Sequence, residues 1–317
     1  MRCFGLVWIV AAGQNFLAPR NGVIHLPKMC DYPDPECEYT IRDQVILFTD
    51  RTQDFHAACV AVLQAMAWKH AENEILHITM DYSDMATFRF FKMHDEQLPV
   101  FLAVHWEKEM GKHPFVKYRF QDGDALPTVS AELQQLQPAL IGWESRFASG
   151  QLVPWRKSEP HLASRSVATV HLNASEFEDL YSNTSVDALV LISTDFCPSC
   201  KRVERDLEQV ARRFAPVDSV VIGKLDFSHN DVVDEAVSNL IKGYPCILFF
   251  PAEGTPRSFL GCDSMNFAWT DRDRTGFEDR VTNFLVLESK VLQTPPPKYN
   301  ATFEDDTELL DGALGEL

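Results

Sequence analysis

Two stretches of this chain read alike at long range. Val45-Ile46-Leu47-Phe48-Thr49-Asp50 is an apolar run closed by Thr-Asp, and Leu189-Val190-Leu191-Ile192-Ser193-Thr194-Asp195 is another, the two aspartates 145 residues apart. Such apolar runs predict strands. Helical spacing follows each: Phe55, Cys59, Val62 and Met66 in the first, Val203, Leu207, Val210 and Phe214 in the second. A further apolar run ending in Asp comes next in both, Ile75 to Asp81 and Val220 to Asp226, again 145 residues apart. Then come a helical segment and a proline that opens a strand: Pro99 before Val100-Phe101-Leu102, and Pro245 before Cys246-Ile247-Leu248-Phe249-Phe250. Ser258 to Leu260 is expected to be a last short strand and Thr275 to Leu287 a closing helix. A repeat this long is a duplicated domain, not a solenoid. Parallel strands need a helical crossover, so each copy is expected to be α/β, a central mixed sheet flanked by helices.

A length of 317 residues accommodates two such domains. Residues 1–150 form the first, 151–166 a linker holding Pro154, Pro160, Arg156 and Lys157, and 167–292 the second. Trp155 is an apolar anchor within the linker. Pro295-Pro296-Pro297 opens a tail, 293–317, that carries no Lys or Arg after Tyr299. The formal charge of −17 makes nucleic acid and anionic membranes poor partners. No apolar run reaches the ~18–20 residues that span a bilayer. At the N-terminus, Arg2 followed by Cys3 to Gly13 fits either a signal peptide or a buried first strand.

Cys197-Pro198-Ser199-Cys200 stands where a strand gives way to a helix. Pro198 suits the first helical position, where its missing N–H costs nothing. That places Cys197 at the helix N-terminus, where unpaired N–H groups and the macrodipole favour a thiolate. Cys200, one turn on, is near enough to close a disulfide or to attack a mixed one. The Gly243-Tyr244-Pro245 turn before a buried strand suits a cis peptide bond facing this dithiol. The alternatives are half a zinc site, for which no second Cys-x-x-Cys or His pair supplies ligands, and an inert core pair. The redox dithiol is the favoured reading, with no metal and no cofactor beyond glutathione or partner dithiols.

Cys30 and Cys37 flank a turn-rich segment and are candidates for a disulfide. Cys59 lies on an apolar helix face and reads as core, Cys246 reads as a packed strand thiol, and Cys262 carries no signal. Sequons at Asn173, Asn183 and Asn300 fit a secretory compartment.

From about Val45 to Leu287 the chain resembles the C-terminal half of the protein disulfide isomerases, a noncatalytic domain followed by a catalytic one, both thioredoxin-like. The resemblance rests on Trp155-Arg156-Lys157-Ser158-Glu159-Pro160, Phe196-Cys197-Pro198-Ser199-Cys200-Lys201, Ile222-Gly223-Lys224-Leu225-Asp226 and Gly243-Tyr244-Pro245 with the strand after it. Phe88-Arg89-Phe90-Phe91 and Leu98-Pro99 resemble the noncatalytic domain. It favours Gly5 to Phe16 as a first strand and turn. It implies two tandem thioredoxin-like domains, with Cys197 as nucleophile, Cys200 as resolving thiol and Pro245 shaping the substrate loop. It also implies an arginine near Cys200, either Arg274 or Arg272, and residence in the endoplasmic reticulum lumen.

Departures from the family pattern are several. Phe196 replaces a Trp, Pro198-Ser199 replaces Gly-His, and Cys246 replaces a Thr. Leu191 stands where the family has a buried Glu that takes the second thiol's proton. Gly315-Glu316-Leu317 keeps only the last two residues of the family's Lys-Asp-Glu-Leu retrieval signal. Thr52-Gln53-Asp54-Phe55 occupies the dithiol's place in the first copy, which therefore exchanges nothing. Its expected role is to bind unfolded polypeptide through a groove lined by Leu63, Met66, Phe90 and Phe91. The expected function is thiol–disulfide exchange on folding polypeptides. The alternative is a chaperone or adaptor whose dithiol is slow.

Overall fold

The computed structural model describes residues 28–31, 41–71, 73–107, 115–120, 126–161, 168–262, 270–292 and 296. The chain divides into two units, Met1–Trp155 and Arg156–Leu317. The division falls inside the expected linker. Trp155 donates its N–H to Lys117 of the first unit at 2.7 Å. The N–H groups of Lys157 and Glu159 go instead to Asp231 and Asn230 of the second.

The first unit runs β1 (Lys28–Asp31), β2 (Asp43–Thr49), α1 (His56–Lys69), β3 (Ile75–Asp81), α2 (Met85–Phe91), β4 (Val100–Trp106), β5 (Phe115–Arg119), α3 (Ser130–Gln135) and α4 (Gln137–Ala148). Its sheet has the order β1-β3-β2-β4-β5. The first three strands are parallel, and β4 and β5 join antiparallel. Alternation along β2 explains its unbroken apolar run. Val45 and Leu47 face Cys59, Val62 and Met66 of α1, while Ile46 and Phe48 face Phe88 and Phe91 of α2. The edge place beside β3 belongs to Lys28–Asp31. Gly5–Phe16 lies outside the described residues, as do Cys37, and with it the Cys30–Cys37 pairing, Asn300 and nearly all of the tail.

The second unit repeats the plan with β6 (Val170–Leu172), α5 (Ala174–Ser182), β7 (Asp187–Ser193), α6 (Pro198–Phe214), β8 (Val220–Asp226), α7 (Glu235–Ser238), β9 (Cys246–Phe250), β10 (Arg257–Leu260), α8 (Asp271–Arg274) and α9 (Phe277–Glu288). Read from the other edge, its sheet is β6-β8-β7-β9-β10, the same order as in the first unit. The repeat in the sequence is thus a repeat of topology. Leu189 and Leu191 of β7 pack under α6 and α9, and Ala188, Val190 and Ile192 pack against Phe177 of α5 on the opposite face. Glu208 of α6 fastens the entry to β6. It accepts from Ala168 N at 2.8 Å, Thr169 N at 3.0 Å and Thr169 Oγ1 at 2.6 Å. Burial pushes this carboxyl up, but these bonds and one from Arg212 outweigh it and hold the group below its ordinary value.

Candidate functional site

At the C-terminal end of β7 the chain makes a short turn and enters α6. Cys197 is the N-cap of this helix and Pro198 sits in its first turn. The first unit lacks that proline. Its equivalent residues form turns around Asp50, which accepts from Thr52 N at 2.8 Å and Thr52 Oγ1 at 2.7 Å, and α1 starts only at His56. Cys197 and Cys200 are disulfide-bonded with Cα atoms 5.3 Å apart. Cys200 N–H points at Cys197 Sγ, 3.1 Å away. On reduction, that N–H and the positive end of a 17-residue helix both favour a thiolate on Cys197. Cys200 is fully buried, Cys197 is 9% exposed and Phe196 beside it 48% exposed. An incoming sulfur therefore meets Cys197 first. The turn is braced from the loop after β8, since Ser228 Oγ donates to Asp195 Oδ1 at 2.9 Å and accepts from Asp195 N at 3.1 Å.

Leu191, fully buried, lies between Lys224 of β8 and Ile247 of β9 in the register. It is packed in the apolar cluster with Val203 and Leu207. Lys224 does not stand idle opposite it. Its Nζ lies 3.5 Å from Glu204 Oε2, on the helical turn after Cys200, and Lys201 approaches the same oxygen at 3.9 Å. Glu204 was not singled out in the sequence, although its spacing of four from Cys200 puts the two on one helix face. Arg274 is exposed and held by Asp206 of α6 at 3.1 Å, about 1.7 turns past Cys200. Arg272 is exposed as well.

Pro245 is preceded by a cis bond, as the Gly-Tyr-Pro turn predicts, and so is Pro99 in the first unit. Because β9 runs antiparallel to β7, with Cys246 opposite Ile192, the Tyr244–Pro245 turn lies at the sheet end where α6 begins. Tyr244 packs against Phe227, ring centroids 5.7 Å apart. Burial first, and then the charge of Asp226, push its hydroxyl pKa up. Cys246 is not a packed free thiol. It is bonded to Cys262, the cysteine that carried no signal in the sequence. Cys59 is free and buried as expected, its thiol pushed up to about 12 by burial.

The residues expected to form a groove do not share a surface. Leu63 and Met66 are fully buried in the cluster on the α1 face of the sheet, whereas Phe91 belongs to the cluster on the other face. The sheet separates them, and the helical periodicity that picked out Leu63 and Met66 was that of core residues. Phe90 is 37% exposed and stacks on Trp106 and Phe115, and Tyr82 is 41% exposed over Phe88. Trp155 packs against this same aromatic cluster, with Lys117 Nζ 4.8 Å and Arg119 Cζ 5.3 Å from its ring centre. A cavity of about 420 Å³ opens beside Tyr82, lined also by Phe55, Leu98, Asp50, Asp95 and Glu96.

Among the described residues no helix is long and apolar enough to cross a membrane. Residues 168–268 match the thioredoxin family model. Protein disulfide-isomerase of Medicago sativa is 25% identical over 61% of this chain and 35% of its own length. That of Hordeum vulgare is 25% identical over 56% and 31%, and that of Datisca glomerata 22% identical over 75% and 44%. The chain thus spans about a third of the length of the first relatives it matches. With a thioredoxin domain holding a Cys-x-x-Cys disulfide at its helix start, and a first unit of the same strand order, the chain is a thioredoxin-like protein similar to the protein disulfide isomerases.

Proposed function

We propose that the chain is a thiol–disulfide oxidoreductase acting on folding polypeptides in the endoplasmic reticulum lumen. The observation that carries this reading is the asymmetry of the pair: Cys197 at the surface of the helix start, Cys200 buried beneath it. In the oxidation direction a client thiolate attacks Cys197 Sγ. The bond to Cys200 breaks, and Cys200 leaves as a thiolate that takes up a proton. A second client thiolate then attacks the client sulfur of the mixed disulfide and releases Cys197. The client gains a disulfide and the protein holds two thiols, which glutathione disulfide or a partner dithiol–disulfide protein reoxidises. In the reverse direction Cys197 attacks and Cys200 resolves. Pro245 shapes the loop on which the client lies. Arg274 is a cation held against the helix, and it would have to leave Asp206 to approach Cys200.

The first unit binds unfolded segments without exchanging disulfides. Its exposed Tyr82 and Phe90, and the cavity beside Tyr82, support that role. The adaptor reading, in which binding is the main activity and the dithiol is slow, is favoured by Leu191, which leaves no carboxylate at its position. Trapping decides the roles of the cysteines. Cys200→Ala is expected to accumulate mixed disulfides with clients and Cys197→Ala to trap none; equal trapping by both would overturn the assignment. Turnover of reduced, unfolded client with glutathione disulfide separates oxidoreductase from adaptor, which suppresses aggregation without turnover.

A further inference from the structure

We propose that Cys246–Cys262 is a second, non-exchanging disulfide, a clamp that holds the Tyr244–Pro245 turn in place for exchange at Cys197. The role given to the turn rests on the proposed oxidoreductase function; the inertness of the bond does not.

Both sulfurs belong to fully buried residues, packed in the apolar cluster with Val190, Ile192, Leu248 and Val237. Disulfide exchange requires a thiolate to reach a sulfur of the bond. Neither sulfur offers that access, whereas Cys197 does. The fold brings the two cysteines together by a specific route. β10 returns antiparallel along β9, its register slips between Ser258 and Leu260, and Gly261 adopts a left-handed φ of 78°. That conformation suits glycine, and it turns the chain so that Cys262 arrives at the start of β9. Its carbonyl accepts from Lys242 N at 3.1 Å. Cys262 therefore grips the segment on both sides of Tyr244–Pro245, by a hydrogen bond at Lys242 and a covalent bond at Cys246. The bond closes the whole β9–β10 hairpin, joining cysteines 16 positions apart in sequence. A turn so tied keeps its backbone at the sheet end where α6 starts, and the cost of ordering it is met before a client arrives.

The clamp divides the domain's four cysteines into two classes. With dithiothreitol as reductant, one of its thiolates attacks Cys197 Sγ and Cys200 leaves. Its second sulfur then displaces Cys197, the reagent closing to a cyclic disulfide as the protein takes two electrons. The clamp has no sulfur open to the first of these attacks.

The test is graded reduction of the folded protein by dithiothreitol, then alkylation with N-ethylmaleimide in denaturant and peptide mapping. Cys197 and Cys200 are expected to label at low reductant, with Cys246 and Cys262 labelling only when denaturant is present during the reduction itself. Labelling of all four at one reductant concentration, or free Cys246 and Cys262 in the oxidised protein, overturns the proposal whether or not the chain turns over a client. The double variant Cys246→Ala/Cys262→Ala tests the positioning role. Reduced Cys197 is expected to keep its rate with iodoacetamide, a small probe that needs no turn, while its reaction with a peptide disulfide falls about tenfold. Equal rates with the peptide disulfide would overturn the positioning role. If the double variant does not fold, the labelling order in the unmodified protein still decides whether the bond is inert.

Discussion

Replacing Leu191 by Glu asks whether proton transfer at Cys200 limits exchange. Leu191 is fully buried beside α6, in register with Lys224. A buried carboxylate without a partner costs about 3–5 kcal/mol. The structure supplies a partner at low cost. Lys224 is engaged with Glu204 across 3.5 Å, with side chains 26% and 18% exposed, and such partly solvated pairs contribute under about 1 kcal/mol. Lys224 can leave Glu204 for the introduced carboxylate at a loss smaller than the penalty it relieves. The expected net destabilisation is about 2–3 kcal/mol, rising when Lys224→Leu is combined with it. On the kinetic side, a carboxylate beside Cys200 does not raise its equilibrium share of thiolate, because a like charge disfavours that form. It acts by accepting the proton as the thiol reacts, and such transfer is worth about 10²–10⁴-fold where proton loss limits the rate. The assay is turnover of a model disulfide from acid to alkaline pH, with urea denaturation in parallel. Leu191→Glu is expected to be faster near neutrality with a profile displaced to lower pH. Leu191→Gln is expected to be destabilised with an unchanged profile. Parallel profiles for the unmodified protein and Leu191→Glu would show that proton loss from Cys200 does not limit exchange.

Other expectations concern stability, client binding and modification. Glu208→Gln is expected to cost about 2 kcal/mol by weakening charge-assisted bonds to Ala168 and Thr169. Because the folded carboxyl titrates below its ordinary value of 4.5, its contribution is full above that pH and is lost as pH falls through the lower folded value. Acid denaturation of the variant should lack that component, and identical acid profiles would refute the role of Glu208. Trp155→Ala removes the ring under Lys117 and Arg119 at a cost of about 1–2 kcal/mol. It also uncovers the cluster beside Phe90, so calorimetry should show an unfolded peptide binding more tightly; unchanged affinity would exclude that cluster from the binding site. Asn173 caps α5 in a reciprocal pair with Glu176, while Asn183 is exposed past the helix end. Expression through a secretory lumen is expected to glycosylate Asn183, read as a glycosidase-sensitive mass lost in Asn183→Gln. A glycan that persists in that variant would assign it elsewhere.

The duplication, the central strand–helix–strand plan of each copy and the Cys-x-x-Cys pair were legible in the chain, whereas the short edge strands β1 and β6 were not. Each is written in local spacing: an apolar run for a strand, a period of 3.6 for a helix, two cysteines one turn apart with a proline between them. Local spacing does not say which face of a sheet a buried helix residue meets. Leu63 and Met66 therefore looked like neighbours of Phe90 and Phe91 until the sheet was seen to lie between them. Nor does it pair residues on different elements. Cys246 meets Cys262 only because β10 folds back along β9, slips register and turns at Gly261. Lys224 reaches Glu204 only because α6 crosses over β8. Residue chemistry and short-range periodicity decided that this chain builds two α/β units on one plan and sets a Cys-x-x-Cys pair where a helix starts. Strand order and register, set by burying both faces of each sheet at once, decided which side chains surround that dithiol.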